Sequence, residues 1–345
     1  NTQISNLNIK NYNLERNGSQ AGIIENAHGV RLKNVNIDTV NIKADSTGSI
    51  GTIGGYGNNF EFEDITINNV NILVKNAVAP KVGGIVGNGI GDINNVYANN
   101  INIKVENTQE ATMVGGIIGI AYSTIKKISN VIINGNIETD SGRVGGIIGS
   151  GDTNINNCIV KMNIVADGNM VGGLIGEKRT DIVEIKDNLY IGNIANKKET
   201  KYIGPLFGRY LSKGINYIYD NNKINNVIVE DKYKLGIEEL SKKNTYTKIL
   251  NFADNYNYDD LNNKLPLLKN SDKTNVLPNQ SPIYIEEKDI NIKIVSTLRE
   301  DGNRLKVRLE ITNPKNLEIE KVIIENMDVE ITEKRNNNGT TYIDL

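Results

Sequence analysis

A six-residue phrase, Val-Gly-Gly followed by two β-branched or leucine residues and a final glycine, recurs four times: Val82 to Gly87, Val114 to Gly119, Val144 to Gly149 and Val171 to Gly176. The copies start 32, 30 and 27 residues apart. Self-similarity at that spacing is the signature of a solenoid in which one structural unit repeats along an axis. The same register exposes weaker copies at Ile203 to Gly208, at Ile50 to Gly55 and at Gln20 to Glu25, which makes seven units.

Each unit also carries an apolar residue preceded by Asn or a polar pair, some way ahead of its glycine box: Leu7, Val35, Val70, Val96, Val131, Cys158 and Leu189, with Val227 opening an eighth unit. Alternating runs such as Val35-Asn36-Ile37 and Ile101-Asn102-Ile103-Lys104-Val105 put one face inward and the other in water, which is the strand signal. Short strands repeating about every 30 residues and stacking in parallel describe a β-helix with a column of Val, Ile and Leu inside. Handedness rules for parallel crossovers favour the right-handed coil.

The box glycines need a local reason, because glycine in a strand costs entropy and packs nothing. They are Gly83, Gly84 and Gly87; Gly115, Gly116 and Gly119; Gly145, Gly146 and Gly149; and Gly172, Gly173 and Gly176. Two readings fit: a corner with positive φ, or a backbone approach too close for a Cβ. A phosphate-cradling loop is disfavoured, since that fingerprint leads into a helix and does not repeat.

Asn makes up about one residue in six. Side-chain ladders between rungs and a coding bias explain this equally, although Asn34, Asn69, Asn95, Asn130 and Asn157 all stand just before a marker residue. The net charge of −2 supplies no field for nucleic acid or anionic lipid, and no long apolar run calls for membrane insertion. The lone cysteine, Cys158, excludes an intrachain disulfide framework and reads as a small buried apolar residue.

The boundaries follow from composition. Residues 1–230 read as the β-helix, 231–270 as a capping or closing segment with a helix near Ile237 to Lys243, and 271–282 as a polar linker. Residues 283–345 alternate at Ile290 to Ile294, Leu305 to Ile311, Val322 to Ile324 and Val329 to Ile331, with turns at Asp301-Gly302-Asn303 and Asn338-Gly339. That pattern is a small antiparallel β-domain of sandwich type. The fold class is therefore all-β.

The boxes resemble the GLUG motif of Gram-positive surface proteins, above all in the region upstream of the catalytic domain of immunoglobulin A proteases, which are zinc metallopeptidases. Gly236-Ile237-Glu238-Glu239-Leu240, Thr245-Tyr246 and Leu265-Pro266-Leu267-Leu268 are similar to the segment that closes GLUG arrays, without its customary Trp. The resemblance covers about residues 1–270. It implies a secreted or cell-wall-attached chain, with export and anchoring signals elsewhere in a larger protein. It also implies immunoglobulin A and the parent's other domains as partners, and zinc confined to the parent's catalytic domain. A GLUG adhesin that binds a host protein or glycan is the alternative.

No residue set here supplies catalysis or a metal site. A His-Glu-x-x-His signature needs two histidines, and His28 is the single one, expected as a solvated or capping turn residue. Sugar cleavage needs paired carboxylates; Asp38, Asp64, Glu106, Asp140 and Asp167 are expected on different loops, forming no column. The acid-rich run Asp254 to Asp260 matches no calcium-loop spacing. Tyr202, Tyr210, Tyr217 and Tyr219 are expected to pack the cap at the C-terminal end of the solenoid, or else to form a recognition surface.

Overall fold

A computed structural model describes residues 2–45, 48–108, 111–140, 142–195, 202–209, 214–220, 222, 224, 230–252, 254–261 and 264–269, and the backbone strands of 291–300, 304–312, 322–324, 327–329, 333–337 and 340–344. Val227 and the linker at 271–282 lie outside the described residues. The chain divides into two compact units, Asn1–Pro282 and Ile283–Leu345.

The first unit is a parallel β-solenoid of about seven turns. Its early rungs are long bent strands, Thr2–Asn17, Val30–Asp45, Gly54–Lys75, Val86–Glu106 and Ile118–Thr139; the sixth rung splits into Ile148–Asn156 and Ile159–Ala166. Rungs stack about 4.8 Å apart, so the array extends roughly 30 Å. Columns run through the rungs across local register shifts: Leu7, Val35, Ile65, Val96 and Val131 form one inward column, while Ile42, Ile72, Ile103, Ile137, Ile164 and Ile194 form another. From the second rung onward these side chains are essentially inaccessible, which makes one unbroken core along the axis.

Two corners bend the first four long strands, and both use left-handed residues. The first holds Asn6, Asn34, Asp64, Asn95, Asn130, Asn157 and Asp187, all with φ between 52° and 58°. The second holds Asn11, Thr39, Asn69 and Asn100. Asn and Asp adopt this region at the least cost of any residue with a Cβ, so the corners select them, with Thr39 the exception. The marker column needs correction at two places. Val70 belongs to the second corner, beside Val40 and Ile101, and Ile65 fills the first-corner column instead. Leu189 pairs with Ile159, which puts Asn188, not Leu189, next to Cys158.

The glycine boxes form their own seven-stranded parallel sheet: Gln20–Ala21, Ser49–Gly51, Lys81–Gly83, Met113–Gly115, Arg143–Gly145, Met170–Gly172 and Tyr202–Gly204. The sheet aligns Ala21, not Gln20, with Ile50 and Val82, so the first box starts one residue later than the repeat pattern suggests. None of the twelve box glycines has a positive φ; each is forced by close approach. A Cβ on the first glycine of a box would meet the carbonyl three residues on, at 1.9 Å for Gly83 and 2.0 Å for Gly115. On the second it would meet the next rung's carbonyl, at 2.0 Å for Gly84 and 2.2 Å for both Gly116 and Gly146. On the third it would meet the previous box's amide nitrogen, at 2.5 Å for Gly119 and Gly149.

Asparagine ladders run along the outside. Asn13, Asn41, Asn71, Asn102, Asn136 and Asn163 share one column, and each amide donates to the one before it at 2.8, 3.0, 3.4, 2.9 and 3.2 Å. Near the C-terminal end the ladder motif moves inside, where the buried Asn188 donates to Asn216 at 2.8 Å.

The closing segment does more than cap. Lys234–Leu235 extends the solenoid by pairing with Tyr217–Tyr219, and the chain then folds back along its flank. The helix is shorter than expected, Ile237–Leu240, followed by a π-type turn at Thr245–Ile249. Leu240, Tyr246, Leu250, Phe252, Tyr256 and Leu268 bury themselves against an outward column of Tyr97, Ile132, Ile159 and Leu189. Tyr256 Oη donates to the Asn157 carbonyl at 2.6 Å, and Asn157 Nδ2 donates to the Asn251 carbonyl at 2.8 Å.

The second unit contains a four-stranded antiparallel sheet in the order Asn291–Glu300, Arg304–Thr312, Thr340–Asp344, Glu333–Asn337, and a separate hairpin of Val322–Ile324 with Met327–Val329. The turn signals at 301–303 and 338–339 lie outside the described residues.

Candidate functional surfaces

The twelve box glycines are buried. Their backbones are sealed between rungs, and the side chains beside them, Val82, Val114, Val144 and Val171, point into the core. His28 is exposed in a turn, its amide donating to Asn26 Oδ1 at 3.3 Å. Cys158 is buried and its thiol is pushed up to about 12 by desolvation, so it is held as an inert thiol. Tyr219 and Tyr256 are buried and Tyr202, Tyr217 and Tyr258 half-buried, while Tyr210 lies outside the described residues. Tyr217, Tyr219, Tyr256 and Tyr258 belong to the layer on the flank.

The acidic residues correct an expectation. Glu106, Asp140 and Asp167 converge with Glu138 at one shallow cleft of about 400 Å³ at a third corner of the solenoid. They align through the rung register, since Val105 pairs with Thr139 and Thr139 with Ala166, each one residue before an acid. Asp140 is engaged by the Asn107 amide at 2.5 Å and by Thr108 Oγ1 at 2.9 Å. Lys104 and Lys75 beside Glu106 hold its carboxyl below the usual range. Such a carboxylate stays ionised at neutral pH, the opposite of what a general acid requires. Among the described residues no group of three His, Cys, Asp or Glu side chains is placed to hold a metal ion.

A second charged cluster was missed by the sequence reading. Glu177 is nearly buried and gathers Arg143 at 2.6 Å, with Arg179 and Arg209 each at 3.4 Å. The Arg143 approach is a charge contact rather than an aligned hydrogen bond. Burial alone would raise the Glu177 pKa, but the Ser150 hydroxyl donating at 3.0 Å, with Arg143 and Arg179, outweighs it and leaves the carboxyl below its ordinary value. Arg179 also lies over the Tyr122 ring, 4.9 Å from its centroid. The residues come from different rungs, Ser150 pairing with Glu177 and Glu177 with Arg209, and only the register reveals the column. This arrangement neutralises and rigidifies the rungs at the C-terminal end of the array.

No helix among the described residues is long and apolar enough to cross a membrane. Comparison with family profiles, curated proteins and solved structures returned no match for the chain.

Proposed function

We propose that this chain is a non-catalytic scaffold of an extracellular Gram-positive surface protein. More specifically, we assign it to the region ahead of the catalytic domain of an immunoglobulin A subclass 1 metalloprotease. In this reading it orients the antibody or holds the catalytic domain at a fixed distance from the cell wall, and the zinc resides in the parent's catalytic domain. The observation that carries the reading is the parallel stacking of rung on rung from Thr2 onward, together with the seven-stranded box sheet. A solenoid whose rungs are locked on three sides transmits position in a way that a flexible linker of the same length does not. The GLUG resemblance of the boxes supports the parentage. The alternative parentage, a GLUG adhesin binding a host protein or glycan, draws on the same resemblance of the boxes.

Surface-plasmon binding of the purified chain to immunoglobulin A of subclass 1, with subclass 2 as the hinge control, tests the recognition role. Binding confined to subclass 1 supports it. Absence of binding to both at high micromolar concentration removes recognition by this chain and leaves spacing or adhesion.

A further inference from the structure

The dipeptide Asn-Gly occurs at Asn17-Gly18, Asn88-Gly89, Asn134-Gly135 and Asn338-Gly339, the last outside the described residues. This pair has a reaction open to it that needs no catalyst. The glycine's backbone nitrogen can attack the carboxamide carbon of the asparagine before it, because no Cβ on the glycine blocks the approach. Two freedoms decide whether it does: the carboxamide must swing toward the main chain, and the glycine amide must leave whatever it bonds. The three described pairs differ in both.

Asn134 has neither freedom. Its Nδ2 donates to Asn99 Oδ1 at 2.5 Å and its Oδ1 accepts from the Asn100 amide at 2.8 Å, so the carboxamide is held at both ends. Gly135 is a strand residue with Ile101 beside it on one rung and Met162 on the other. A strand between two paired neighbours cannot turn an amide out of the sheet without losing ladder bonds, each with a net value of about 1 kcal/mol. Asn88 is half-buried and stands in the ladder between Tyr56 and Ile120. Gly89 is buried against the third rung, where the Gly57 carbonyl oxygen lies 2.5 Å from the place a Cβ would occupy.

Asn17 has both. It is exposed and ends the first strand, Thr2–Asn17, which among the described residues pairs on one side only, with Val30–Asp45. Gly18 follows in a bend beyond the strand. A Cβ added there would meet nothing nearer than Arg16 Nε at 3.6 Å, an ordinary contact.

We propose that Asn17 is a self-modification site, converting to isoaspartate and aspartate in the folded protein while the solenoid holds Asn88 and Asn134 unreactive. The Gly18 nitrogen bonds to Asn17 Cγ as the Cγ–Nδ2 bond breaks, and Nδ2 leaves as ammonia carrying the proton that the Gly18 amide gives up. A cyclic imide remains. Water then opens it at one carbonyl or the other, leaving either aspartate with an ordinary backbone or isoaspartate with the main chain routed through Cγ. Nothing is oxidised or reduced, and water is the sole co-reactant.

Both products add a carboxylate where Asn17 pairs with Asp45. The two residues line a shallow cleft of about 620 Å³ together with Glu15, Arg16, Lys43 and Lys75. Three cations face two anions there before the reaction, and three face three after it. Isoaspartate also lengthens the main chain where the first rung leaves its partner, so it loosens the end of the edge strand and spares the core. The inference does not depend on the immunoglobulin reading, because every reactant except water lies within the chain.

The test is a time course of the folded chain in mildly alkaline buffer, read by mass-spectrometric peptide mapping, with enzymatic methylation of isoaspartyl carboxyls to mark the isomer. The expected result is a gain of about one dalton on the peptide bearing Asn17, at a rate at least about tenfold above those of Asn88 and Asn134, the factor that loss of one or two ladder bonds imposes. In guanidinium chloride, where the fold no longer protects any pair, the three sites are expected to react at similar rates. Gly18→Ala finds room for its methyl group and is expected to slow the reaction at Asn17 about tenfold or more, with the circular dichroism unchanged. Equal rates at the three sites in the folded chain, the same ordering in denaturant, or an unchanged rate in Gly18→Ala would overturn the proposal.

Discussion

The outward column that begins at Asn8 has two halves built on one backbone. In the first three rungs it reads Asn8, Asn36, Thr66 and faces solvent; in the next four it reads Tyr97, Ile132, Ile159, Leu189 and is fully covered by the returning segment. Inward neighbours do not distinguish the halves, since Val35, Ile65, Val96 and Val131 are all buried. The solenoid thus sets where a side chain stands, and the outward residue alone decides whether a wall meets water or a second layer. Parallel sheets covered on both faces read as continuous apolar runs, and those covered on one face as alternation.

The box wall runs through both halves and should be indifferent to the difference. Gly84→Ala and Gly146→Ala each place a methyl about 2 Å from a carbonyl oxygen of the next rung, with no side-chain freedom to relieve the clash. Both are expected to lose about 3 kcal/mol or more, which for many domains means no folded product. Soluble yield and urea melts check this. A large asymmetry between the two would show that the halves differ in their box wall as well.

Exchanging outer residues tests the halves directly. Ile159→Asn copies the polar half into the covered half and buries an amide beneath Leu and Tyr side chains, an expected cost of about 3 kcal/mol. Limited proteolysis should then cleave within 236–268 while the solenoid core survives. The reciprocal Asn36→Ile exposes one more apolar side chain and is expected to leave stability within about 0.5 kcal/mol. Equal effects from the two exchanges would break the comparison.

The layered half was partly legible. Val131-Ile132-Ile133 and Cys158-Ile159-Val160 are unbroken apolar triplets where Val35-Asn36-Ile37 alternates, and that contrast marks the covered wall. The repeat boxes revealed seven units and the parallel solenoid, because a fixed period survives variation at other positions. Marker assignment slipped at Val70 since both corners follow the same grammar, a left-handed Asn or Asp before a β-branched residue, five positions apart in Asp64-Ile65 and Asn69-Val70. The choice between positive φ and close approach at the box glycines needed the neighbouring rung's carbonyls. The Glu177 cluster and the acidic corner stayed hidden because their members are some 30 residues apart and meet only through register.

Alkaline pH separates core from layer more gently. Tyr190 sits in the solenoid core, and Tyr246 and Tyr256 in the flank layer; burial holds all three phenols above their ordinary value. Below about pH 10 both folded and unfolded chains keep these protons; above it the unfolded phenols ionise while the folded ones resist, so stability falls with rising pH. Each contributes up to about 1.4 kcal/mol per pH unit. Tyr246→Phe should flatten the slope for release of the layer and Tyr190→Phe that for the solenoid, read by protease protection and far-ultraviolet dichroism respectively. One common slope would mean that layer and solenoid unfold as a single unit.

A comparably small effect belongs to the exposed ladder, which crosses the boundary between the halves without changing. Asn71 accepts from Asn102 and donates to Asn41 in the uncovered half, and Asn136 accepts from Asn163 and donates to Asn102 farther along. Each bond exchanges with water at the surface, so Asn71→Ala and Asn136→Ala are each expected to cost about 0.5 kcal/mol and no more than about 1 kcal/mol. Because every interior ladder amide serves two neighbours, Asn71→Ala combined with Asn102→Ala removes one shared bond only once, and the pair should cost less than the sum of the singles. Denaturant midpoints of the two singles and the double mutant form a cycle that reads this coupling. Strict additivity would mean that the amides act independently and that Asn occupies the column for its turn and solubility properties, with register left to the box wall.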